Sequence, residues 1–316
     1  TVSRVVNKLG GVKPETEKRV IKAIEELNYI PNILARSVVS QKTYLIGMVV
    51  PDIENPFFAA VYSGVNYIAR KQNYTTLLGG SENNTEIEED LIRNILQHRP
   101  SGIILTPVRE DLDWYNKFKY DIPICLVDRK LEKMSCDKVL IDNQAGSYDA
   151  TKLFIKNGHK KIGIITGPLD STPGRERFDG YRKCLEDNGI NYDASIVKIG
   201  DFSEKSGYML GKELLCMEYH PTAILSCNNL MTIGLLEAVN SCGLHVGKDI
   251  SIIGFDDIPV TTLIEPMITV VSRPMREMGE IAAKLLLDRI ENIDAPKQSI
   301  IMSPNLIVRG SEKINK

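Results

Sequence analysis

Short apolar runs alternate with amphipathic helical patterns from residue 44 onward, and this alternation limits the fold more than any other feature of the chain. Runs that are apolar throughout are typical of strands buried on both faces, as in parallel sheets covered by helices. The strand-like runs are LIGMVV (45–50), TTLLGG (75–80), GIILT (102–106), ICLVD (124–128), KIGIITG (161–167), IVKIG (196–200), AILSC (223–227) and ISIIGF (250–255). The pattern therefore predicts the α/β class, with parallel sheets covered on both faces.

The alternation of strands and helices begins twice. The segments LIGMVVPDIENPFF (45–58) and KIGIITGPLDSTPG (161–174) both run from a strand through a proline-containing loop into a helix. This repetition predicts two doubly wound parallel-sheet domains in tandem. Small ligands bind such folds in the crevice at the carboxyl ends of the strands, so we expect a ligand site there.

The first 43 residues have a different pattern, that of short amphipathic helices. TVSRVVNKL (1–9) carries one apolar stripe, and Pro14 begins a second helix, PETEKRVIKAIEELNY (14–29), whose acidic first turn suits the helix dipole. We predict a buried stripe on this second helix, formed by Val20, Ile24 and Leu27. Because two short helices bury little surface, we also expect a partner helix before Thr1.

Charge is unevenly distributed along the chain, whose formal net charge is −2 at pH 7. Residues 1–43 hold eight basic and four acidic side chains, a balance of +4, so the remaining residues carry −6. A basic N-terminal segment joined to an acidic remainder predicts that the N-terminal segment alone binds a polyanionic partner. Taken by itself, the charge also fits a solvated helical face.

The sequence offers no positive indication of catalysis. It contains no GxSxG, HExxH or GxxxxGK[ST] motif, and no GxGxxG after a strand. The four histidines are isolated and the six cysteines lack metal-ligand spacing, so we expect no metal and no other cofactor. There is no apolar run of about 18 residues and no export signal. We therefore predict a non-enzyme with reduced cysteines, located in the cytoplasm and without a membrane partner.

Several ordered segments carry a resemblance to a known family. They are TVSRVVN, ETEKRVIKAIEELNYIPNILARSVV, IGMVVPDIENPFF, VDR (127–129), NGHKKIGIITGP, RERFDGYRKCL, PTAILSCNN, ISIIGFDD and MGEIAAKLLLDRI. Together they closely resemble the lactose-repressor (LacI/GalR) family of bacterial transcription regulators. The resemblance extends over essentially the whole chain, and this many motifs in the same order make it specific.

The resemblance implies a small all-α helix-turn-helix headpiece, a hinge, and a two-domain core similar to periplasmic binding proteins. On this basis we predict a partial headpiece at 1–30, which begins at the recognition helix, and a hinge helix or linker at 31–43. The N-terminal core subdomain is predicted to comprise 44–143 plus 273–302. The C-terminal core subdomain is predicted to comprise 144–272 plus 303–316.

The resemblance also implies the residues that contact DNA. A recognition helix enters the major groove by its N-terminal end, and the family's hinge inserts a wedge into the minor groove. The predicted DNA-binding residues are Thr1, Ser3, Arg4, Asn7, Ala35, Arg36 and Val38. Val38 stands where the family usually has Leu, and this shorter β-branched side chain predicts a smaller wedge. A homodimer on a pseudo-palindromic operator is the expected assembly, and a phosphocarrier corepressor is a further candidate partner.

The effector site is implied residue by residue. The predicted effector-binding residues are Asn55, Phe57, Asp128, Arg129, Arg177, Phe202, Asn228, Asp256 and Arg273. Their chemistry suits a polyol, because carboxylates accept from hydroxyl groups, arginine donates in a planar fork, and aromatic rings stack on sugar faces.

Two positions near the predicted site depart from the family pattern. Asn229 replaces a common Asp, which we expect to alter a structural hydrogen bond rather than a ligand contact. Arg273 stands where ribose-type members usually carry Gln. Arg273 on the ligand would favour a sugar acid or sugar phosphate over a neutral sugar, whereas Arg273 paired with Asp256 or Asp128 would be a structural residue. Two more hypotheses stay open: a purine effector, indicated by Phe202 in GDFSEKSGY, and a sugar-binding protein without a DNA role.

Overall fold

A computed structural model of the chain describes residues 1–6, 10–27, 43–110, 122–131 and 133–313. The chain divides into two compact units, Thr1–Tyr44 and Leu45–Lys316. None of the helices in the described ranges combines the length and the apolar character that a bilayer crossing requires.

The smaller unit contains the described helices α1 (Val2–Val6) and α2 (Pro14–Glu26). Pro14 lies in the first turn of α2, where a missing backbone N–H costs nothing. Glu15 and Glu17 are in the same turn, as the sequence predicts, and there their charges interact favourably with the helix dipole.

The predicted buried stripe on α2 is wrong. Val20 and Ile24 are only half-buried, and Leu27 is 77% exposed. The described helix beside this stripe, α1, is only five residues long and covers little of it. The stripe therefore lines an open, largely apolar concavity together with Val2 of α1.

The larger unit is an alternating α/β structure. Its described strands are β1 (Leu45–Val50), β2 (Thr75–Gly80), β3 (Gly102–Leu105), β4 (Ile124–Val127), β5 (Asp137–Ile141), β6 (Ile162–Thr166), β7 (Val197–Ile199), β8 (Ala223–Ser226), β9 (Ser251–Phe255), β10 (Thr269–Ser272), β11 (Ser299–Met302) and β12 (Asn305–Ile307). Its described helices are α3 (Pro56–Lys71), α4 (Thr85–Gln97), α5 (Asn143–Lys156), α6 (Thr172–Asp187), α7 (Glu204–Leu215), α8 (Asn229–Ser241) and α9 (Met275–Glu291). The predicted α/β class with two doubly wound parallel sheets is confirmed.

These strands form two six-stranded sheets. The first sheet has the order β11-β5-β4-β3-β1-β2, and all of its neighbours are parallel. The second has the order β12-β10-β9-β8-β6-β7, and among its described strands only β12 is antiparallel to its neighbour. Helices α3, α4 and α9 pack on the first sheet, and α5 to α8 pack on the second. We call these two assemblies the first half and the second half of the larger unit.

Each predicted strand is present, and most are one or two residues shorter than the apolar run. The sequence prediction missed β5, β10, β11 and β12. These strands are short and contain polar residues, so a continuous apolar run does not mark them. Two of them, β11 and β12, also lie at sheet edges, where burial imposes less pattern on the sequence.

The chain crosses between the two halves at three places in the described structure. It passes from β5 into α5, from β10 into α9, and from β11 into β12. Arg273 lies at the second crossing, directly after β10. Residues at such crossings are close to both halves, and the crevice between the halves lies beside them.

Helices α3 and α9 approach each other closely because each has a glycine at the contact. A Cβ atom on Gly64 of α3 would lie 2.0 Å from the backbone oxygen of Arg276, and one on Gly279 of α9 would lie 2.0 Å from the backbone oxygen of Val61. Backbone atoms of a packed helix cannot yield to such a contact. The two helices are thus held backbone to backbone on the first sheet.

Each sheet has its own apolar core. The first half has one cluster under α3 and α9 and another under α4. The second half has a single larger cluster that includes strands and helices of that half alone. Full burial of one large aliphatic or aromatic side chain contributes about 1.5–3 kcal/mol, so each half has a substantial driving force of its own.

Candidate functional site

All nine predicted effector residues line one cavity between the two halves. Asp52, Phe58, Asn83 and Pro173 complete the described lining. Each of the nine predicted residues is exposed by 9% or less. The structure thus brings together residues that are up to 218 positions apart in the chain, from Asn55 to Arg273.

Strand ends deliver these residues to the cavity. Asp128 follows β4, Asp256 follows β9, and Arg273 follows β10. Asn55 and Asn228 precede α3 and α8, at the end of the loops that leave β1 and β8. Because the carboxyl ends of parallel strands meet at one edge of a sheet, the two sheets present their loops to a shared crevice.

Three of the nine residues have left-handed backbone conformations although none is a glycine. The φ angles are 66° for Asp128, 70° for Phe202 and 71° for Asp256. Such conformations cost on the order of 1–3 kcal/mol each and cluster at ligand-binding sites.

The guanidinium of Arg273 connects the two halves through charge. Its Nε and Nη2 donate to the two carboxylate oxygens of Asp256 at 2.6 and 2.7 Å, and its Nη1 donates to Asp128 at 2.5 Å. Asp128 belongs to the first half and Asp256 to the second. Burial alone would lower the pKa of Arg273, but the two carboxylates more than offset it and the pKa is raised. Of the two roles that the sequence left open for Arg273, the structure shows the pairing with acids, and it shows both acids.

The same guanidinium lies against the ring of Phe57, with its central carbon 3.8 Å from the ring centroid. Phe57 is in the first turn of α3 and is 2% exposed. A cation stacked on an aromatic face gains electrostatic attraction, and the gain is larger when water is excluded. Arg273 therefore uses the aromatic face and both buried carboxylates of the cavity at once.

Two other arginines in the cavity keep unpaired donors. Arg129 donates through Nη1 to the backbone oxygens of Pro107 and Val108, while its buried Nε has no hydrogen-bond partner in the described residues. Arg177 donates through Nε to Asn143 and through Nη1 to the backbone of Cys227, while its buried Nη2 has no such partner.

The protonation equilibria of these two arginines reflect their burial. Burial lowers the pKa of Arg129, although Asp128 and Glu88 oppose the shift. Burial lowers the pKa of Arg177 to about 10, and the neighbouring Arg273 adds to the effect. Both cations are thus held at an electrostatic cost that an acceptor group on a ligand would relieve.

Two asparagines of the cavity, Asn55 and Asn228, act as helix caps. Asn55 Oδ1 accepts from Phe57 N at 3.0 Å, and Asn228 Oδ1 accepts from Met231 N at 2.8 Å. Asn229 Nδ2 donates across the crevice to Asn55 Oδ1 at 2.8 Å, so Asn229 makes a structural hydrogen bond between the two halves. Capping interactions of this kind contribute about 1 kcal/mol each and hold the loops in position.

Phe202 reaches the cavity because Gly167 leaves room for its ring. A Cβ atom on Gly167 would lie 2.0 Å from the ring. The backbone oxygen of Phe202 accepts from Asn228 Nδ2 at 2.8 Å, and Arg129 lies over the ring at 5.4 Å from its centroid. The need for Gly167 could not be inferred from the strand pattern alone.

A set of contacts that the sequence did not predict closes one side of the crevice. Glu110, after β3, accepts from Thr172 Oγ1 at 2.5 Å and pairs with Arg175 on α6. Beside it, Arg109 Nε lies 3.0 Å from Asp170 Oδ2. We call these contacts the rim clasp, since each joins the first half to the second.

The centre of the cavity is nearly filled by the protein's own side chains. The volume left open there is about 30 Å³. Ligand pockets for small molecules are an order of magnitude larger, about 300–1,000 Å³. The two halves are therefore in a closed arrangement, in which ordered water fits but a sugar does not.

Comparison with known proteins gives the family. The family model described as "Bacterial regulatory proteins, lacI family" matches residues 1–32, and the model described as "Periplasmic binding protein-like domain" matches residues 151–312. The HTH-type transcriptional repressor PurR of Photobacterium profundum is 33% identical over 99% of this chain and 94% of that protein. The chain belongs to the lacI family. The family predicted from the sequence motifs is therefore confirmed.

Solved structures agree with membership of the lacI family. The lac repressor dimer bound to operator and the anti-inducer ONPF has a TM-score of 0.86 and 26% identity, over 99% of this chain and 94% of that one. A complex of the transcriptional regulator CelR with cellobiose has a TM-score of 0.79 and 30% identity, over 98% of this chain and 95% of that one. The chain thus shares its fold with members that have DNA or a sugar bound.

The predicted DNA-contacting residues are described only in part. Thr1, directly before α1, and Arg4, in α1, are exposed. Ser3 lies in α1, but its side chain is outside the described structure. Asn7 and the hinge residues Ala35, Arg36 and Val38 lie outside the described residues.

Proposed function

We propose that this lacI-family regulator represses transcription by binding operator DNA as a homodimer, and that a small carbohydrate-type effector bound between its two halves sets the DNA affinity. The observation that carries the proposal is the convergence of the nine predicted residues on one buried cavity. Two carboxylates, three arginines and two aromatic rings are the groups that recognise a polyol by hydrogen bonding and stacking. A relative of similar fold is known in complex with cellobiose.

Charge favours an acidic effector over a neutral one. Among the buried lining residues, three arginines face two carboxylates, and Asp52 is half-buried at the edge. A carboxylate or phosphate would give Arg129 and Arg177 the acceptors that they lack. We therefore propose a sugar acid or a sugar phosphate as the first candidate and a neutral sugar as the second.

A purine is the competing effector class. It is supported by the 33% identity to a repressor named PurR and by Phe202, whose ring could stack on a planar base. The mixture of carboxylates and arginines favours a polyol instead, because a purine offers few hydroxyl groups to Asp128 and Asp256. A sugar-binding protein without a DNA role is opposed by the match of residues 1–32 to the lacI family.

The proposed regulation couples two binding sites. We propose that the two sheets mark subdomains 44–143 plus 273–302 and 144–272 plus 303–316, and that their closure is transmitted through residues 31–43 to the headpiece. An effector that binds one closure state better shifts the population, and operator DNA must shift effector affinity by the same factor. A pseudo-palindromic operator matches a two-fold dimer. A phosphocarrier corepressor and a cytoplasmic location complete the proposal.

A ligand screen tests the effector class. The chain would be melted with pentoses, hexoses, hexuronates, sugar phosphates and purines at equal concentrations. A ligand at about 100 times its Kd adds roughly 2.7 kcal/mol to stability, which raises Tm by several degrees. Stabilisation by purines alone would contradict the carbohydrate proposal.

Neighbouring acidic residues provide a matched pair of variants for calorimetry. Asp256 lines the cavity, whereas Asp257 pairs with Arg309 outside it. We expect Asp256→Ala to abolish effector binding and Asp257→Ala to preserve it. Equal affinities in the two variants would show that this cavity is not the effector site. Fluorescence anisotropy of a labelled pseudo-palindromic DNA, with and without the effector, then measures the coupling.

A further inference from the structure

We propose that Arg273 is a built-in substitute for the effector: its guanidinium occupies the position of a polyol ring, holds the two halves closed, and restricts the site to ligands that can replace its carboxylate partners. The identity of the site rests on the proposed function, but the central claim concerns contacts within the protein. Arg273 thereby has a specificity-determining role.

Arg273 occupies the contacts that a ligand would use. A sugar bound in such a cavity would stack on an aromatic face and donate hydroxyl protons to carboxylates. Arg273 already covers the ring of Phe57 at 3.8 Å and donates three hydrogen bonds to Asp128 and Asp256. With these contacts made, the open volume is only about 30 Å³. The planar, donor-rich guanidinium thus takes both kinds of contact that a polyol needs.

Arg273 also connects the two halves. It lies where the chain crosses from the second half to the first, and its two carboxylate partners come from opposite halves. The side chains of all three residues are exposed by 5% or less, so solvent hardly screens their attraction. Removing the cation would leave two buried carboxylates facing each other across the crevice, and their repulsion would favour opening.

The remaining described contacts between the halves are weaker. In the rim clasp, the Arg109–Asp170 pair has side chains that are 54% and 45% exposed, and exposed ion pairs contribute little. The Glu110–Arg175 and Lys130–Glu176 pairs are partly screened by solvent, since the arginine side chain is 33% exposed and the lysine side chain is 32% exposed. The hydrogen bond from Asn229 to Asn55 carries no net charge. Arg273 is therefore the main electrostatic connection at the centre of the crevice.

Ligand selectivity follows from the cost of displacing Arg273. A neutral polyol that takes Asp128 and Asp256 leaves the guanidinium buried with weakened pairing, which is unfavourable. A ligand with a carboxylate or phosphate offers Arg273 a new anionic partner while it frees the two aspartates for hydroxyl groups. Arg273 thus weakens the binding of neutral sugars relative to the binding of acidic ones.

The test compares Arg273→Gln and Arg273→Met with Arg289→Gln in the full chain. Arg289 is a matched control because it also forms a buried bidentate pair, with Asp137, but both residues belong to the first half. Small-angle scattering without added ligand reports closure. Calorimetry with ribose, glucose, glucuronate and glucose 6-phosphate reports selectivity, and the last two ligands distinguish a carboxylate from a phosphate. Circular dichroism confirms that each variant is folded.

We expect both Arg273 variants to have a larger radius of gyration than the wild type, and Arg289→Gln to scatter as the wild type does. We also expect Arg273→Gln to bind a neutral sugar at least roughly tenfold more tightly than the wild type does. It should bind the acidic ligand at least roughly tenfold more weakly, since the loss of one charge-assisted hydrogen bond changes affinity by about this factor. Unchanged scattering in folded Arg273 variants would overturn the closure role. Unchanged selectivity would overturn the role in specificity.

The closure role of Arg273 and the proposed effector class can be refuted independently of each other. If no sugar, acid or phosphate binds any of the proteins, the carbohydrate effector of the proposed function is refuted. The scattering comparison needs no ligand and no DNA, so it still decides whether Arg273 holds the halves together.

Discussion

Replacement of Glu110 by glutamine tests how strongly burial determines the contribution to stability of the ion pairs that close the crevice. Glu110 is 4% exposed and accepts from Thr172 and Arg175 on the opposite half. Glutamine keeps the size and can still accept from Thr172, but it loses the charge. The pKa of Arg175 is raised, mainly by its hydrogen bond to Glu110, which shows that the pair stabilises the cation.

The expected cost follows from exposure. A hydrogen bond to a charged group contributes about 1.5–3 kcal/mol when buried, and the 33% exposure of the Arg175 side chain reduces this by screening. We therefore expect Glu110→Gln to lower the free energy of unfolding by about 1–2 kcal/mol. At about 2–4 °C per kcal/mol for a domain of this size, Tm should fall by roughly 2–8 °C.

The adjacent residue supplies the control. Arg109 pairs with Asp170 across the same gap, but these side chains are 54% and 45% exposed. Arg109→Gln should change stability by less than about 0.5 kcal/mol. Both variants would be unfolded with urea and followed by circular dichroism. If Arg109→Gln lowers the free energy of unfolding by as much as Glu110→Gln or more, burial does not determine how much an ion pair stabilises the protein.

Three further predictions concern the site and its surroundings. Gly167→Ala should push the Phe202 ring out of place and weaken effector binding by roughly tenfold or more in calorimetry, with wild-type affinity as the contrary result. Arg177→Met should abolish effector binding while the protein stays folded, because Arg177 is buried with an unpaired donor; retained binding would remove this residue from the site. The Arg309 hydrogen bond lowers the pKa of Asp257, so this pair stabilises the fold above the unfolded pKa of about 3.9 and its contribution is lost as pH falls below that value. Asp257→Asn should therefore destabilise at pH 7, and the difference from wild type in urea unfolding should shrink between about pH 5 and pH 3; a constant difference would contradict this.

The fold could be predicted from the sequence wherever a strand is buried on both faces. β1, β8 and β9 are continuous apolar runs, and periodicity alone identifies them. β11 and β12 could not be identified in this way, because these three- and four-residue strands contain polar residues and their pairing partners are distant in the chain. Their places depend on tertiary contacts, which a local pattern does not contain.

The site was predictable as a set of residues but not as a network. The family resemblance implied nine of the thirteen described lining residues, and the convergence of strand ends in a doubly wound fold explains why they meet. The sequence left open whether Arg273 faces a ligand or pairs with acids, because two carboxylates at strand ends are compatible with both. The left-handed backbone at Phe202 and the rim contact of Glu110 gave no sequence signal, because neither follows from residue type or spacing.

The glycine contact between α3 and α9 has a consequence for the kinetics of effector exchange. Phe57 lies in the first turn of α3, and α9 begins two residues after Arg273, so the aromatic ring and the guanidinium on it are attached to two helices that touch along their backbones through Gly64 and Gly279. Helices joined in this way cannot slide past each other without breaking the contact. We therefore expect the ring and the guanidinium to separate by rotation about the arginine side-chain bonds, which is a fast event. For the proposed effector, we expect the slower opening of the two halves to set the rate of entry and release.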